Sequence, residues 1–124
     1  MTTRALVDSN IVIDWLRGVP AAAKELGNYR RVCASIITRI EVLAGVAPAQ
    51  RERVARLIAP IEFLPLDVET ADLAAAIRHE RRIKVPDAII QATAQRHQLM
   101  LVTRNAKDFP PSLAGVRIPY ELGT

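Results

Sequence analysis

The stretch Arg4-Ala5-Leu6-Val7-Asp8-Ser9-Asn10-Ile11-Val12-Ile13-Asp14-Trp15-Leu16 decides the fold. Ala5, Leu6 and Val7 are three apolar residues in succession and read as a strand buried on both faces. Asp8 ends that strand. Asn10 is expected to cap a helix carrying Ile11, Val12, Trp15 and Leu16, whose spacing of three and four places them on one side. Gly18 and Pro20 are expected to stop it. A strand running straight into a helix is the opening unit of a parallel α/β sheet.

The same grammar repeats along the chain. A short helix is expected near residues 22–26 and a second strand at 32–34. Ser35 is placed to cap a helix through Ile36, Ile37, Ile40, Leu43 and Ala44, with Gly45 behind it. Pro48 opens a further helix through Val54, Leu57 and Ile58, closed by Pro60. Residues 61–64 read as a strand, and Asp67 caps a helix over 68–82. Pro86 suits the first turn of a helix running to about His97. Strands are expected at 99–102 and 116–118. The fold class is therefore α/β, with a mainly parallel central sheet flanked by helices in three layers.

Length and composition narrow the field. The 124 residues suit one domain, 1–124, since a second core needs roughly 100 residues more. Half of the chain is apolar and 24% is charged, which excludes a disordered tail and a coiled coil. No apolar run approaches the ~20 residues that span a bilayer, so no membrane partner is expected. Met1-Thr2-Thr3-Arg4 leads into only three apolar residues before Asp8, too few for a signal peptide. The single cysteine, Cys33, lies between Val32 and Ala34 and reads as core filler in a reducing compartment. Both readings lead to an expected cytoplasmic location. The net charge is +4, and 14 of the 17 basic residues are arginine, whose planar fork suits phosphate.

In a parallel sheet with right-handed crossovers, every strand ends at one edge, and ligands bind beyond it. That rule brings distant residues together. Asp8 follows the first strand. Glu41 lies in the first two turns of the helix after the second strand. Asp87 lies in the first turn of the helix that feeds 99–102, and Thr103, Arg104 and Asn105 follow that strand. Glu41 stands four residues after Ile37 and Asp87 three before Ile90, each beside its helix's apolar stripe. Carboxylates beside a core stripe lose water, and a divalent cation compensates them best. Oxygen ligands without sulfur or paired histidine suit Mg²⁺ or Mn²⁺. Basic charge with a hard-cation site points to phosphodiester hydrolysis.

These segments resemble a known family. Asp8-Ser9-Asn10, the run Ser35 to Gly45 containing Glu41, Pro86-Asp87-Ala88-Ile89-Ile90-Gln91-Ala92-Thr93-Ala94, and Leu101-Val102-Thr103-Arg104-Asn105-Ala106-Lys107-Asp108-Phe109 are similar to the four motifs of PIN-domain ribonucleases. The small size resembles the VapC-type toxins of type II toxin–antitoxin systems. The resemblance implies a PIN-like fold and a Mg²⁺-dependent endoribonuclease that cuts RNA. It also implies a homodimer and a cognate antitoxin that blocks the site. It makes Asp8, Glu41 and Asp87 the metal ligands and puts Thr103 beside the metal's water shell. Asn105 stands at what reads as the fourth acidic position of the motif. It offers an oxygen without charge, and Asp108 is the nearby alternative.

In the resulting scheme Asp8, Glu41, Asp87 and Asn105 are the catalytic set. One carboxylate orients a water for in-line attack on RNA, and the cation offsets charge growing on the phosphate. Arg104, Thr103 and Asn10 are expected at the substrate, with Arg104 on a phosphate. The run Arg78-His79-Glu80-Arg81-Arg82-Ile83-Lys84 is a further candidate for the RNA backbone. His79 and His97 read as helix-end residues. An apolar stripe on the helices between Ile37 and Ile58 is a candidate seat for an antitoxin helix. Two rivals remain: a PIN fold that binds without cutting, favoured by Asn105, and a Mg²⁺-dependent phosphotransfer domain, disfavoured by Asn10 where a second Asp belongs.

Overall fold

The computed structural model describes residues 3–122. Met1 and Thr2, part of the opening read for a signal peptide, lie outside the described residues.

The elements follow in chain order as β1 (Arg4–Val7), α1 (Ser9–Leu16), α2 (Pro20–Leu26), β2 (Arg31–Ser35) and α3 (Ile36–Ala44). A single 3₁₀ turn (Pro48–Gln50) then leads into α4 (Arg51–Leu57), β3 (Glu62–Leu64), α5 (Val68–Arg81), α6 (Val85–Arg96), β4 (Leu101–Val102) and β5 (Val116–Arg117). All five strands are parallel, in the order β3-β2-β1-β4-β5. The sheet is thus wound outward in two directions from β1. Its switch point, the crevice where such sheets bind ligands, lies between the ends of β1 and β4.

Strand alternation sorts the core into two layers. Leu6, Cys33, Leu64 and Leu101 face α5 and α6, where Ala74, Ile77, Ala88 and Ile90 complete one cluster with Phe109 from the loop after β4. Ala5, Val7, Ala34 and Val102 face the other way, onto Ile11 and Val12 of α1, Val42 of α3, and Ile58. Cys33 is fully buried, as core filler should be.

The structure redraws several expected boundaries. Asn10 does not cap α1. Asp8 does, accepting from Ser9 N at 2.7 Å, and Asn10 is the second residue of the helix. Pro20 opens α2 as well as following Gly18, which takes the left-handed φ of +82° that ends α1. The helix expected from Pro48 splits into the 3₁₀ turn and α4, and ends before Pro60. Strand β4 holds two residues, not four. Arg82 is not the last residue of α5 but its cap, at φ +58°, where a glycine would meet less strain. Ser35 and Asp67 cap α3 and α5 as expected, bonding Ile37 N and Thr70 N. His79 and His97 both lie at helix ends.

Candidate active site

Asp8 stands where β1 stops and α1 starts. It is only 5% exposed. Its Oδ1 accepts from Ser9 N, and its Oδ2 accepts from Thr103 Oγ1 at 2.7 Å and Asn10 Nδ2 at 3.3 Å. A carboxylate offers about four lone-pair directions. Three are used, so one is left for a ligand. Burial pushes the Asp8 carboxyl above its ordinary range, against the bonds from Thr103 and Ser9, and the charge of Glu41 pushes it the same way.

Thr103 follows β4 and is fully buried. Its hydroxyl donates to Asp8 and accepts from Asn10 Nδ2 (3.3 Å) and Asn105 N (3.0 Å). Asn10 in turn accepts from Arg104 N at 3.2 Å. Asp8, Asn10 and Thr103 therefore form one hydrogen-bonded unit across the switch point. The Arg104 guanidinium is bound to Asp14, with Nε on Oδ2 at 2.5 Å and Nη2 on Oδ1 at 3.1 Å. Two of its five donors are thereby committed within the protein.

Glu41 is exposed, but Ser9 Oγ donates to its Oε1 at 2.7 Å and lies 3.0 Å from Thr38 Oγ1. Ser9 thus ties α3 to the rim. Asp87, at the third position of α6, is half-buried. Burial, then the charges of Asp8, Asp108 and Glu41, push its carboxyl up to about 6, and Lys84 opposes this weakly. Four carboxylates from four segments share one field.

Asp108 was outside the primary set expected from the sequence, and Asn105 was in it. Asn105 spends its side chain on Asp108: Nδ2 donates to Asp108 Oδ2 at 3.0 Å, and Oδ1 accepts from Asp108 N at 3.2 Å. The fourth charge at the rim is that of Asp108, and Asn105 holds it. Arg81 anchors the same loop, donating to the carbonyl of Asp108 and to Gln91 Oε1, with its guanidinium over the Phe109 ring. The signal that separates the two residues is this turn, Asn105 N–H and side chain closing on Thr103 and Asp108, which spacing alone does not reveal.

Among the described residues, no three His, Cys, Asp or Glu side chains form a group that could hold a metal ion. The donor chemistry nevertheless fits a hard cation: all oxygen, one open direction on buried Asp8, and an excess of negative charge at Asp87. Mg²⁺ takes one or two carboxylates and keeps several waters, so it needs no closed cage of protein ligands.

Comparison with known proteins gives the family. Residues 5–110 match the model of the PIN domain family. Ribonuclease VapC10 of Mycobacterium tuberculosis (strain ATCC 25618 / H37Rv) is 34% identical over 113 residues, covering 85% of this chain and 85% of that protein. Ribonuclease VapC19 of the same strain is 29% identical over 114 residues, covering 85% of this chain and 91% of its own. A solved toxin–antitoxin complex from Klebsiella pneumoniae contains a chain that superposes with a TM-score of 0.89 at 38% identity, covering 95% of this chain and 99% of that one. The chain belongs to the PIN-domain family.

Proposed function

We propose that this PIN-domain protein is a Mg²⁺-dependent endoribonuclease, with Mn²⁺ able to stand in, and that it is the toxin of a toxin–antitoxin pair acting in the cytoplasm. The observation that carries the reading is the meeting of Asp8, Glu41, Asp87 and Asp108 in one field at the switch point. The names of the relatives, ribonucleases and a toxin–antitoxin complex, support the substrate and the partner.

Asp8 and Asp87 would hold the cation, with Asp108 adding negative charge to the field at Asp87. Bound Mg²⁺ supplies Lewis-acid stabilisation of the charge that grows on the phosphate. Glu41 has its Oε1 steered by Ser9 and its Oε2 free, and orients the attacking water and takes its proton. Asn10 and Thr103 keep Asp8 in one orientation throughout, so the carboxylate does not have to reorganise as the reaction proceeds. With Asp108 supplying the charge that Asn105 lacks, the main support for a binding-only module falls away.

The antitoxin seat we favour is the groove between α1, α3 and α4. It holds about 520 Å³ and is lined by Ile13, Leu16, Val42, Val54 and Leu57, with Arg17 and Arg53 among its polar walls. A second copy of the chain would take a different face, where Leu66, Val68 and Val85 are exposed beside the α5–α6 groove.

Purified protein incubated with total RNA should cleave it with Mg²⁺ and not with EDTA. Asp8→Asn should remove the cleavage and leave the circular-dichroism spectrum unchanged. Cleavage by Asp8→Asn at the wild-type rate would end the reading.

A further inference from the structure

We propose that Asp14, Arg104 and Tyr120 form a positioning device for the Asp8 carboxylate, and that Arg104 serves the reaction through this cluster and not by gripping RNA. The inference rests on the reading of Asp8 as a catalytic group.

Asp14 lies in α1, Arg104 just after β4 and Tyr120 in the tail after β5. The Asp14 side chain is buried, and its Oδ2 accepts from both Arg104 Nε (2.5 Å) and the Tyr120 hydroxyl (2.8 Å), while its Oδ1 accepts from Arg104 Nη2 (3.1 Å). A two-bond fork fixes the plane of the guanidinium as well as its position. That fork holds the loop after β4, and the main-chain N–H of Arg104 donates to Asn10 Oδ1 at 3.2 Å.

This last bond decides which way round the Asn10 amide lies. With Oδ1 turned to Arg104, Nδ2 must face Asp8 Oδ2 and Thr103 Oγ1, both at 3.3 Å. If Arg104 is released, the amide can rotate, and Asp8 then loses a donor or meets an oxygen. Every link from the tail to Asp8 is a direct contact. Arg104 is also a poor phosphate hook. Its charge is already met by a buried carboxylate, and a phosphate would have to compete with that partner.

The cluster is tested with Asp14→Asn, Arg104→Lys and Tyr120→Phe. Three readouts are needed: Mn²⁺ affinity without RNA, kcat and KM on a short RNA across salt, and solvent exchange of the Asn10 side-chain NH₂ protons by nuclear magnetic resonance. Asp14→Asn and Arg104→Lys should each weaken Mn²⁺ binding and lower kcat by about 5- to 30-fold. KM and its salt dependence should be unchanged, and Asn10 NH₂ exchange should be faster by tenfold or more. Tyr120→Phe, which removes one hydroxyl and threatens folding least, should show the same pattern at two- to fivefold.

The inference is overturned if Asp14→Asn or Tyr120→Phe leaves Asn10 exchange and Mn²⁺ affinity at wild-type values. It is overturned equally if Arg104→Lys raises KM and flattens the salt dependence while kcat holds, the signature of a lost phosphate contact. Failure of the wild-type protein to bind Mn²⁺ or cut RNA would instead remove the ribonuclease reading. The Asn10 exchange data would still judge the cluster.

Discussion

Asp14 and Asp8 lie six residues apart, one in α1 and the other at its cap, and they are 3% and 5% exposed. Burial costs each of them water, yet the chain answers differently. Asp14 receives an arginine fork and a tyrosine hydroxyl. Glu25 in α2, 4% exposed, receives the same set: Arg117 Nε at 2.8 Å and Nη2 at 3.0 Å, and the Tyr29 hydroxyl at 2.5 Å. Arg117 holds the Glu25 carboxyl below its ordinary range, and burial and Glu25 push the Tyr29 hydroxyl up to about 12. Asp8 and Asp87 have no arginine fork. They have hydroxyls, amides and one another. The paired acids fasten β5 and the tail to the first two helices. The unpaired ones keep charge that the fold leaves for something else to neutralise.

The largest test of this contrast is Asp87→Asn. Cleavage should fall about a thousandfold, ~4 kcal/mol of transition-state stabilisation. The metal-free protein should become more stable at pH 7.5, by about 1–2 kcal/mol once solvent screening is allowed for, or roughly 4–8 °C in melting temperature. Loss of activity together with loss of stability would break the contrast. Glu25→Ala should do the reverse. It leaves Arg117 and Tyr29 without their acceptor and should cost about 2–3 kcal/mol in urea unfolding, because Arg117 is partly solvated. The activity per folded molecule should hold.

pH sharpens the same comparison. Asp87 has a folded-state pKa near 6, above its ordinary 3.8. The folded protein therefore binds that proton more tightly than the unfolded chain does. The stability it contributes is full below about 4 and is lost as pH rises through 6. Glu25 works oppositely: its contribution is full above its ordinary 4.5 and is lost as pH falls through its lowered value. Metal-free melting temperature should thus peak near pH 4.5 and fall from there to about pH 6. Saturating Mg²⁺ should remove that decline. A flat metal-free profile from pH 5 to 7.5 would contradict the Asp87 assignment. The smallest effect is expected from Glu62→Gln, which breaks the exposed pairs with Arg4 and Arg31. It should change stability by less than about 0.5 kcal/mol.

What could be read from the chain alone was what depends on strand ends. Three consecutive apolar residues before Asp8, and Leu101-Val102 before Thr103, are local signals, and the switch-point rule does the rest. The cap of α1 was not legible, because Asp8 and Asn10 are both good capping types two residues apart, and only the backbone shows which one turns. The exchange of Asn105 for Asp108 belongs to the same class: a turn decides which of two neighbours bears charge toward Asp87. Asp14 and Glu25 were invisible for another reason. In a helix pattern an acid reads as the wet side, and the arginines that bury them lie 90 and 92 residues away. Sequence periodicity carries no information about pairs at that distance.

The strand order has a consequence for synthesis on the ribosome. β1 emerges first, but its neighbour on one side, β4, and the edge strand β5 are among the last pieces made. A nascent chain that has folded β1, β2 and β3 still lacks Asp87 and Asp108, half of the acidic rim, and with them Thr103. Messenger truncation or stalled translation before that point would release a harmless fragment, and a translation product ending at residue 98 should be inert toward RNA however much of it accumulates.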